Sequence, residues 1–219
     1  MNSEVNGPPW PLRTAKAAAT RVAIINAATQ LFVELGYAGA SVQAIADAAG
    51  VSRATVFNSV GGKPALLKAC YDVATVGDDD PVALPQRAGL MAVRDEPDQR
   101  RMIRLYARVI TEISERLSGI YEVFRAAAAT DPEIRTIWEQ IQAERLGGAQ
   151  GFVRILASKG PLRAGLDRTE AGDVVWVHID ASLYRRLAVE RGWPRDRYER
   201  WITATLTHYL LPVRTGARR

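Results

Sequence analysis

Residues 41–60 read SVQAIADAAGVSRATVFNSV, and this stretch decides the fold. Ser41 is a good N-cap, and Val42, Ile45, Ala46 and Ala49 follow it at the i, i+3, i+4, i+7 spacing of one apolar helix face. Gly50 ends that helix, because glycine tolerates the left-handed backbone that a helix C-terminus often needs. Val51 can then enter a small core while Ser52 caps a second helix over about residues 53–59. On that helix Val56 and Val60 face inward, and the roughly 100° turn per residue sends Ala54, Thr55 and Asn58 outward. Arg53 and Phe57 flank them, a guanidinium and a ring that can reach a groove edge or a phosphate. Two short helices at a tight turn, the second small and polar outside, form the pattern of a DNA-reading helix-turn-helix. A solvated helix hairpin inside an all-α domain would share the pattern.

The flanks extend the reading. Upstream, a helix is predicted from about Ala17 to Leu35, with Ile24, Ala28, Leu31, Phe32 and Leu35 on one side and Gly36 as its stop. Downstream, Gly61, Gly62, Lys63 and Pro64 break the chain and restart it in a helix through Leu66 and Leu67. Lys63 stands at the start of that helix, where a cation opposes the macrodipole, so an anionic partner such as a phosphate accounts for it better than helix stability does.

The run from Arg21 to Leu67 resembles the DNA-binding domain of the tetracycline-repressor (TetR) family of bacterial transcription regulators. The matching residues are Ala27, Ala28, Leu31, Phe32, Gly36, Tyr37, Ser41, Val42, Ile45, Ala46, then Ala49 to Ser52, Thr55 to Phe57, Lys63, and Ala65 to Leu67. They occur in order without a gap, over about a fifth of the chain. The resemblance implies that Arg53, Ala54 and Thr55 approach bases or phosphates, that Phe57 stands where relatives usually carry a phosphate-contacting tyrosine, and that Lys63 binds phosphate. With the caps Ser41 and Ser52, and with Asn58, these make up the expected DNA-binding set. Two positions depart from the pattern: Phe57 lacks the hydroxyl and can only pack on sugar or a thymine methyl, and Ser59 replaces a common aromatic or histidine. Asn58 can offer a bidentate amide to adenine or a simple phosphate contact.

Composition agrees with a polyanion partner without requiring one: 29 basic against 24 acidic side chains leave a formal charge of +5 over 219 residues. Acids gather at Asp78, Asp79, Asp80, Asp95, Glu96 and Asp98, after the DNA-binding segment, as a solvated loop or a patch that repels DNA. Residues 1–16, with Gly7, Pro8, Pro9 and Pro11, read as a disordered arm in which Arg13 and Lys16 are the basic residues. No apolar run is expected to reach the roughly 18 residues of a membrane span, and none reads as a secretory signal, so a cytoplasmic location with no membrane partner is expected. Cys70, the lone cysteine, reads as a buried packing thiol. With only His178 and His208 and no phosphate-cradling loop, neither a metal nor a cofactor is expected, and catalysis has little foothold.

After Pro97 the helical period persists to about Leu211, with breaks expected near Ser118 and Gly119, at Thr130 to Pro132, at Lys159 to Pro161 and at Gly192 to Pro194. Asp131 caps one helix, with Ile134, Ile137, Trp138, Ile141 and Leu146 as its stripe, and Thr169 caps the next. That next helix, carrying Val174, Val175, Trp176, Ile179, Leu183 and Leu187, and the last one, carrying Tyr198, Trp201, Ile202, Leu206, Tyr209 and Leu210, are apolar on more than one side. They need a second cover. The resemblance implies a homodimer packed through the last two long helices, with Trp176, Tyr184, Leu187, Tyr198, Trp201, Ile202 and Tyr209 at or near the seam. Met102, Tyr106, Tyr121, Phe124, Trp138, Trp176 and His178 offer the aromatic walls and sparse polar groups of an effector cavity. His178 and Asp180 need polar partners or a ligand.

The expected organisation is all-α: an arm at 1–16, a three-helix DNA-binding domain with the helix-turn-helix at 17–67, a helical effector-binding and dimerisation domain at 68–211, and a basic tail at 212–219. The function expected is a dimeric repressor that double-stranded DNA recruits through a palindromic operator and an unidentified small-molecule effector releases. A helical interaction protein that has lost DNA binding, and a helical enzyme, are the competing classes; the enzyme would need a polar catalytic cluster in the cavity.

Overall fold

A computed structural model describes the backbone of residues 10–213 and the side chains from Ala15 onward. The tail beyond Val213 and the first nine residues of the expected arm lie outside the described residues. Among the described residues the chain is helical, with no strand, and it divides into two compact units between Asp72 and Val73.

In the first unit, α1 (Trp10–Gly39) begins inside the segment read as an arm. Ala15 and Ala17 to Ala19 explain why, since alanine has the highest helix propensity and outweighs the local disorder signal of the prolines before it. An 18-residue stretch within Ala15–Gly39 is, against the expectation from sequence, apolar and long enough to cross a membrane. Ile24, Ile25, Ala28 and Phe32 of this helix are buried in the core of the unit. Leu35 was placed on the same face but is 54% exposed, because periodicity does not show where the covering helices end. One residue later Gly36 takes φ 72°, open only to glycine without strain, and the helix breaks there.

The unit continues with α2 (Val42–Ala48), α3 (Arg53–Ser59) and α4 (Lys63–Val76). Ile45, Ala46, Val56, Leu66 and Leu67 complete its core at 0% exposure. Burying each large side chain contributes about 1.5–3 kcal/mol, which the entropy of ordering the chain largely offsets. Cys70 on α4 is buried, donates its thiol to the Ile25 carbonyl at 3.6 Å, and has its pKa raised by burial to about 11.

The second unit carries a short 3₁₀ turn (Leu84–Gln86), α5 (Ala88–Asp95), α6 (Gln99–Ala128), α7 (Pro132–Ser158), α8 (Arg168–His178), α9 (Ala181–Tyr184) running on as a π-helix (Arg185–Glu190), and α10 (Arg195–Leu210). The acidic loop before α5 is not purely solvated, since Asp78 accepts a bidentate fork from Arg87 at 2.6 and 2.7 Å.

Three expectations of breaks and caps need correction. The break at Ser118 and Gly119 is absent: α6 runs through, because burial of Leu117, Ile120, Tyr121 and Phe124 outweighs the ~1 kcal/mol helix cost of one glycine. The cap of α8 is Asp167, whose carboxylate accepts from the N–H groups of Thr169 and Glu170 at 2.7 and 2.8 Å. The helix predicted to continue to Leu187 stops at His178, and Asp180 caps a fresh start by accepting from Ser182 N at 2.9 Å. Asp131 caps α7 as expected, accepting from Glu133 N at 2.9 Å and Ile134 N at 3.2 Å. The main core of this unit joins Met102, Ile103 and Tyr106 of α6 to Phe152 and Val153 of α7, Val175 of α8, and Tyr198, Ile202 and Leu206 of α10.

Candidate functional site

The turn between α2 and α3 is built from short-range bonds. Ser41 Oγ accepts from Ala44 N at 3.0 Å and starts α2. At its end Gly50 sits at φ 67°, its N–H donating to Asp47 O at 3.1 Å while Val51 N–H donates to Ala46 O at 3.0 Å. This double closure is a Schellman motif, and it fixes the angle at which the chain leaves α2. Ser52 Oγ accepts from Thr55 N at 3.0 Å and lies 2.8 Å from Thr55 Oγ1, which starts α3. From below, Val56 anchors α3 at 0% exposure, with Val60 half-buried behind it. At the far end Arg21 Nη1 of α1 donates to the Ser59 carbonyl at 2.8 Å, satisfying a C-terminal carbonyl of α3 and tying the two helices together.

A short helix held at both ends and underneath presents its outer face rigidly. Arg53, Ala54, Phe57 and Asn58 are exposed on that face, while Thr55 is half-buried with its hydroxyl turned to Ser52. Phe57 is 44% exposed, and the Arg53 guanidinium lies 5.5 Å from the centre of its ring. A large exposed ring beside a cation forms a surface that can meet both the apolar and the anionic parts of a nucleotide. Lys63 behaves differently from the reading given above: its ammonium lies 4.6 Å from the centre of the Tyr37 ring and donates to the Ala38 carbonyl at 3.2 Å. Partners within the chain already account for its position at the start of α4. An ammonium has three donors, so an added phosphate remains compatible with them.

Comparison with known proteins decides between a DNA-reading motif and an ordinary helix hairpin. Residues 24–70 match the family model described as bacterial regulatory proteins, tetR family. Over 195 residues the chain is 28% identical to the HTH-type transcriptional regulator CymR of Pseudomonas putida, an alignment covering 87% of this chain and 89% of that protein. Residues 24–70 therefore resemble the tetR-family DNA-binding segment. Among solved structures with this fold, NalD, the secondary repressor of the MexAB-OprM multidrug efflux pump in Pseudomonas aeruginosa, superposes with a TM-score of 0.66 at 20% identity, covering 89% of this chain and 98% of NalD. The TetR-family transcriptional regulator PfmR from Thermus thermophilus superposes with a TM-score of 0.59 at 22% identity, covering 88% of this chain and 96% of PfmR.

In the second unit, the seven residues expected to line an effector cavity fall into different surroundings. Tyr121, Trp138 and Phe124 form a ladder of rings, with centroids 4.9 Å apart for the first pair and 5.6 Å for the second. Trp176 joins them through Arg145, whose guanidinium carbon lies 5.5 Å from the centre of the Tyr121 ring and 5.8 Å from that of Trp176. Met102 and Tyr106 belong to the packed core, Tyr106 stacking on Phe152 at 3.9 Å. His178 faces elsewhere: its Nδ1 is 2.7 Å from the Val174 carbonyl and its ring packs 5.8 Å from that of Trp201.

The seam residues also divide. Tyr184, Tyr198 and Ile202 are 7%, 0% and 0% exposed, so the protomer itself covers them and they are not seam positions. The reason is the period of α10, where Tyr198, Ile202, Leu206 and Leu210 stand four apart and take the core face. Trp201 and Tyr209, on the neighbouring stripe, stay half-exposed, as do Trp176 and Leu187. Val177 on α8, absent from the sequence-based set, is 50% exposed.

The polar group that sequence reading missed is Arg145. Its side chain is 11% exposed and pairs with Asp180 at 3.3 Å. Nothing in the amphipathic pattern of α7 distinguishes it from a solvated arginine, although Asp180 was recognised as needing a partner. Tyr121 Oη donates to Asp180 Oδ2 at 2.5 Å. Burial works to raise the pKa of Asp180, but the bonds from Ser182 and Tyr121 and the charge of Arg145 outweigh it and hold the carboxyl below its ordinary value. Among the described residues no three His, Cys, Asp or Glu side chains gather as a metal site.

Proposed function

We propose that this protein is a TetR-family transcriptional regulator, a cytoplasmic homodimer that represses transcription by reading a palindromic operator with paired α3 helices, and that a small-molecule effector held in the second unit releases it. The carrying observation is the outer face of α3, with Arg53, Ala54, Phe57 and Asn58 exposed on a helix pinned by the Ser52 cap, by Val56 and by the Arg21 clamp. Arg53, Thr55 and Asn58 supply polar contacts, Phe57 packs on sugar or a thymine methyl, Lys63 adds phosphate affinity, and the N-terminal turns capped by Ser41 and Ser52 approach the backbone. One such helix makes few base contacts, and two of them about 34 Å apart read both halves of a palindrome with multiplied affinity.

Half-exposed Trp176, Leu187, Trp201 and Tyr209, together with exposed Val177, supply an apolar surface that a second copy would cover. The effector acts as a wedge among α6, α7 and α8, changing the spacing of the two reading heads so that both no longer fit their grooves. Regulation, not catalysis, is the role proposed.

Selection of bound sequences from random duplexes with the purified protein tests the reading. Enrichment of a palindrome with half-sites one helical turn apart is expected. No enrichment even at low salt would overturn it in favour of an interaction protein with lost DNA binding, the alternative that Phe57, lacking the usual hydroxyl, keeps in view.

A further inference from the structure

Between α6 and α10 the second unit carries an open groove of about 730 Å³, a size within the ~300–1,000 Å³ typical of small-molecule sites. None of the seven residues considered for an effector cavity lines it. Its charges are lopsided: Arg100 and Arg104 of α6 and Arg200 of α10 line it, against the single carboxylate of Glu199. Arg108 extends the α6 row, so positions 100, 104 and 108 stand four apart on one helix face, a like-charge spacing that costs helix stability. Two of the four arginines are answered, Arg108 by Glu199 at 3.6 Å and Arg200 by Asp196 one turn before it. Arg100 donates to the Pro212 carbonyl at 3.0 Å, a neutral acceptor. Exposed Arg104, between Arg100 and Arg108, makes no hydrogen bond or ion pair among the described residues. Two guanidinium charges therefore meet the groove with no carboxylate paired to them.

The remaining lining suits a body that is not charged. Ala204, Leu211 and Val213 give it an apolar side, and Val213 is 74% exposed at its edge. A guanidinium presents a planar fork that matches carboxylate and phosphate oxygens, whereas an ammonium would be repelled and a neutral molecule would leave both charges unanswered. A nucleic-acid backbone would bring phosphates but nothing apolar to cover Val213. We propose that this groove binds a small organic anion, its carboxylate or phosphate head held by Arg104 and Arg100 and its short apolar body lying against Ala204, Leu211 and Val213. The site is separate from the effector site proposed above, and it stands or falls independently of DNA reading.

Five probes titrated calorimetrically into the full chain test this: hexyl phosphate, hexanoate, hexanol, hexylamine and inorganic phosphate. Hexyl phosphate or hexanoate is expected to bind at least tenfold more tightly than the other three, the tighter of the two naming the head group. Arg104→Gln and Ala204→Glu, both at exposed positions, should each weaken that binding at least tenfold with an unchanged melting profile. Arg101→Gln removes an exposed charge of α6 that does not line the groove and should leave binding within about twofold. Equal binding of hexanol or hexylamine, equal binding of inorganic phosphate, binding unmoved by both groove substitutions, or an equal loss with Arg101→Gln would each overturn the proposal. So would the absence of any anion binding, and a loss of duplex affinity in Arg104→Gln would then assign the arginine row to DNA.

Discussion

The two units of this chain keep their informative polar groups in opposite places. On α3 they point outward: Arg53 and Asn58 are exposed, and the helix beneath them is held by caps and by one apolar anchor, Val56. Around α7 they point inward, with Arg145 and Asp180 drawn into a cluster with Tyr121, Gln142 and Trp176. The difference has an energetic consequence. A surface set can be changed with little effect on folding, so its specificity is adjustable, whereas a buried ionic set ties whatever it recognises to the stability of its own domain.

The largest expected effects are on stability. Phe32→Ala, at a fully buried position of α1, should cost about 3–5 kcal/mol and unfold the first unit ahead of the second in urea. Arg145→Ala should cost the second unit about 3 kcal/mol or more, because it strands the Asp180 carboxylate in a partly buried site. Adding Asp180→Asn to Arg145→Ala should recover part of that loss. If the two single losses simply add, the pair is not coupled and the contrast between the units fails.

Next come effects on recognition. Arg53→Ala and Asn58→Ala should each weaken binding to the selected duplex by roughly 10–100-fold, equivalent to about 1–3 kcal/mol, and relax preference at the contacted base. Neither should shift the urea midpoint by more than about 0.5 kcal/mol in equivalent free energy. A loss of stability comparable to that of Arg145→Ala would mean that α3 is structural after all.

Smaller effects follow from titration. The Asp180 carboxyl is held below its ordinary value of 3.8, so the stability it contributes is complete above that value and is lost as pH falls through the folded pKa. Asp180→Asn should flatten the acid limb of a stability profile. For Cys70 the sign is reversed: its pKa rises from 9.0 to about 11, so the buried thiol favours folding up to about pH 9 and loses that contribution between there and about pH 11. At pH 8 an alkylating reagent should label it only as fast as the first unit opens, and rapid labelling of the folded protein would contradict the packing.

The two regions also differ in what their sequence revealed. Ser41, Gly50 and Ser52 announced the α2–α3 turn one residue at a time, since caps and left-handed turns are satisfied by bonds three to five residues away. The second unit depends on which helices meet, and local pattern does not carry that. Ser118 and Gly119 looked like a break until the packing of their neighbours was known. Tyr198 and Trp201 looked equally apolar, yet one is core and the other half-exposed, because three positions turn a helix by roughly 300° and α10 buries the stripe containing Tyr198. Arg145 gave no local signal, because Tyr121, Trp176 and Asp180, which draw it inward, are 24 to 35 residues away in sequence.

The central claim is that the exposed face of α3 reads DNA, and fluorescence anisotropy on the selected duplex tests it most directly, comparing the wild-type chain with the Arg53→Ala, Asn58→Ala double variant across a salt series. We expect steep salt dependence for the wild type, and for the double variant at least a hundredfold loss of affinity with an unchanged melting profile. Equal affinity of the two proteins would contradict the account.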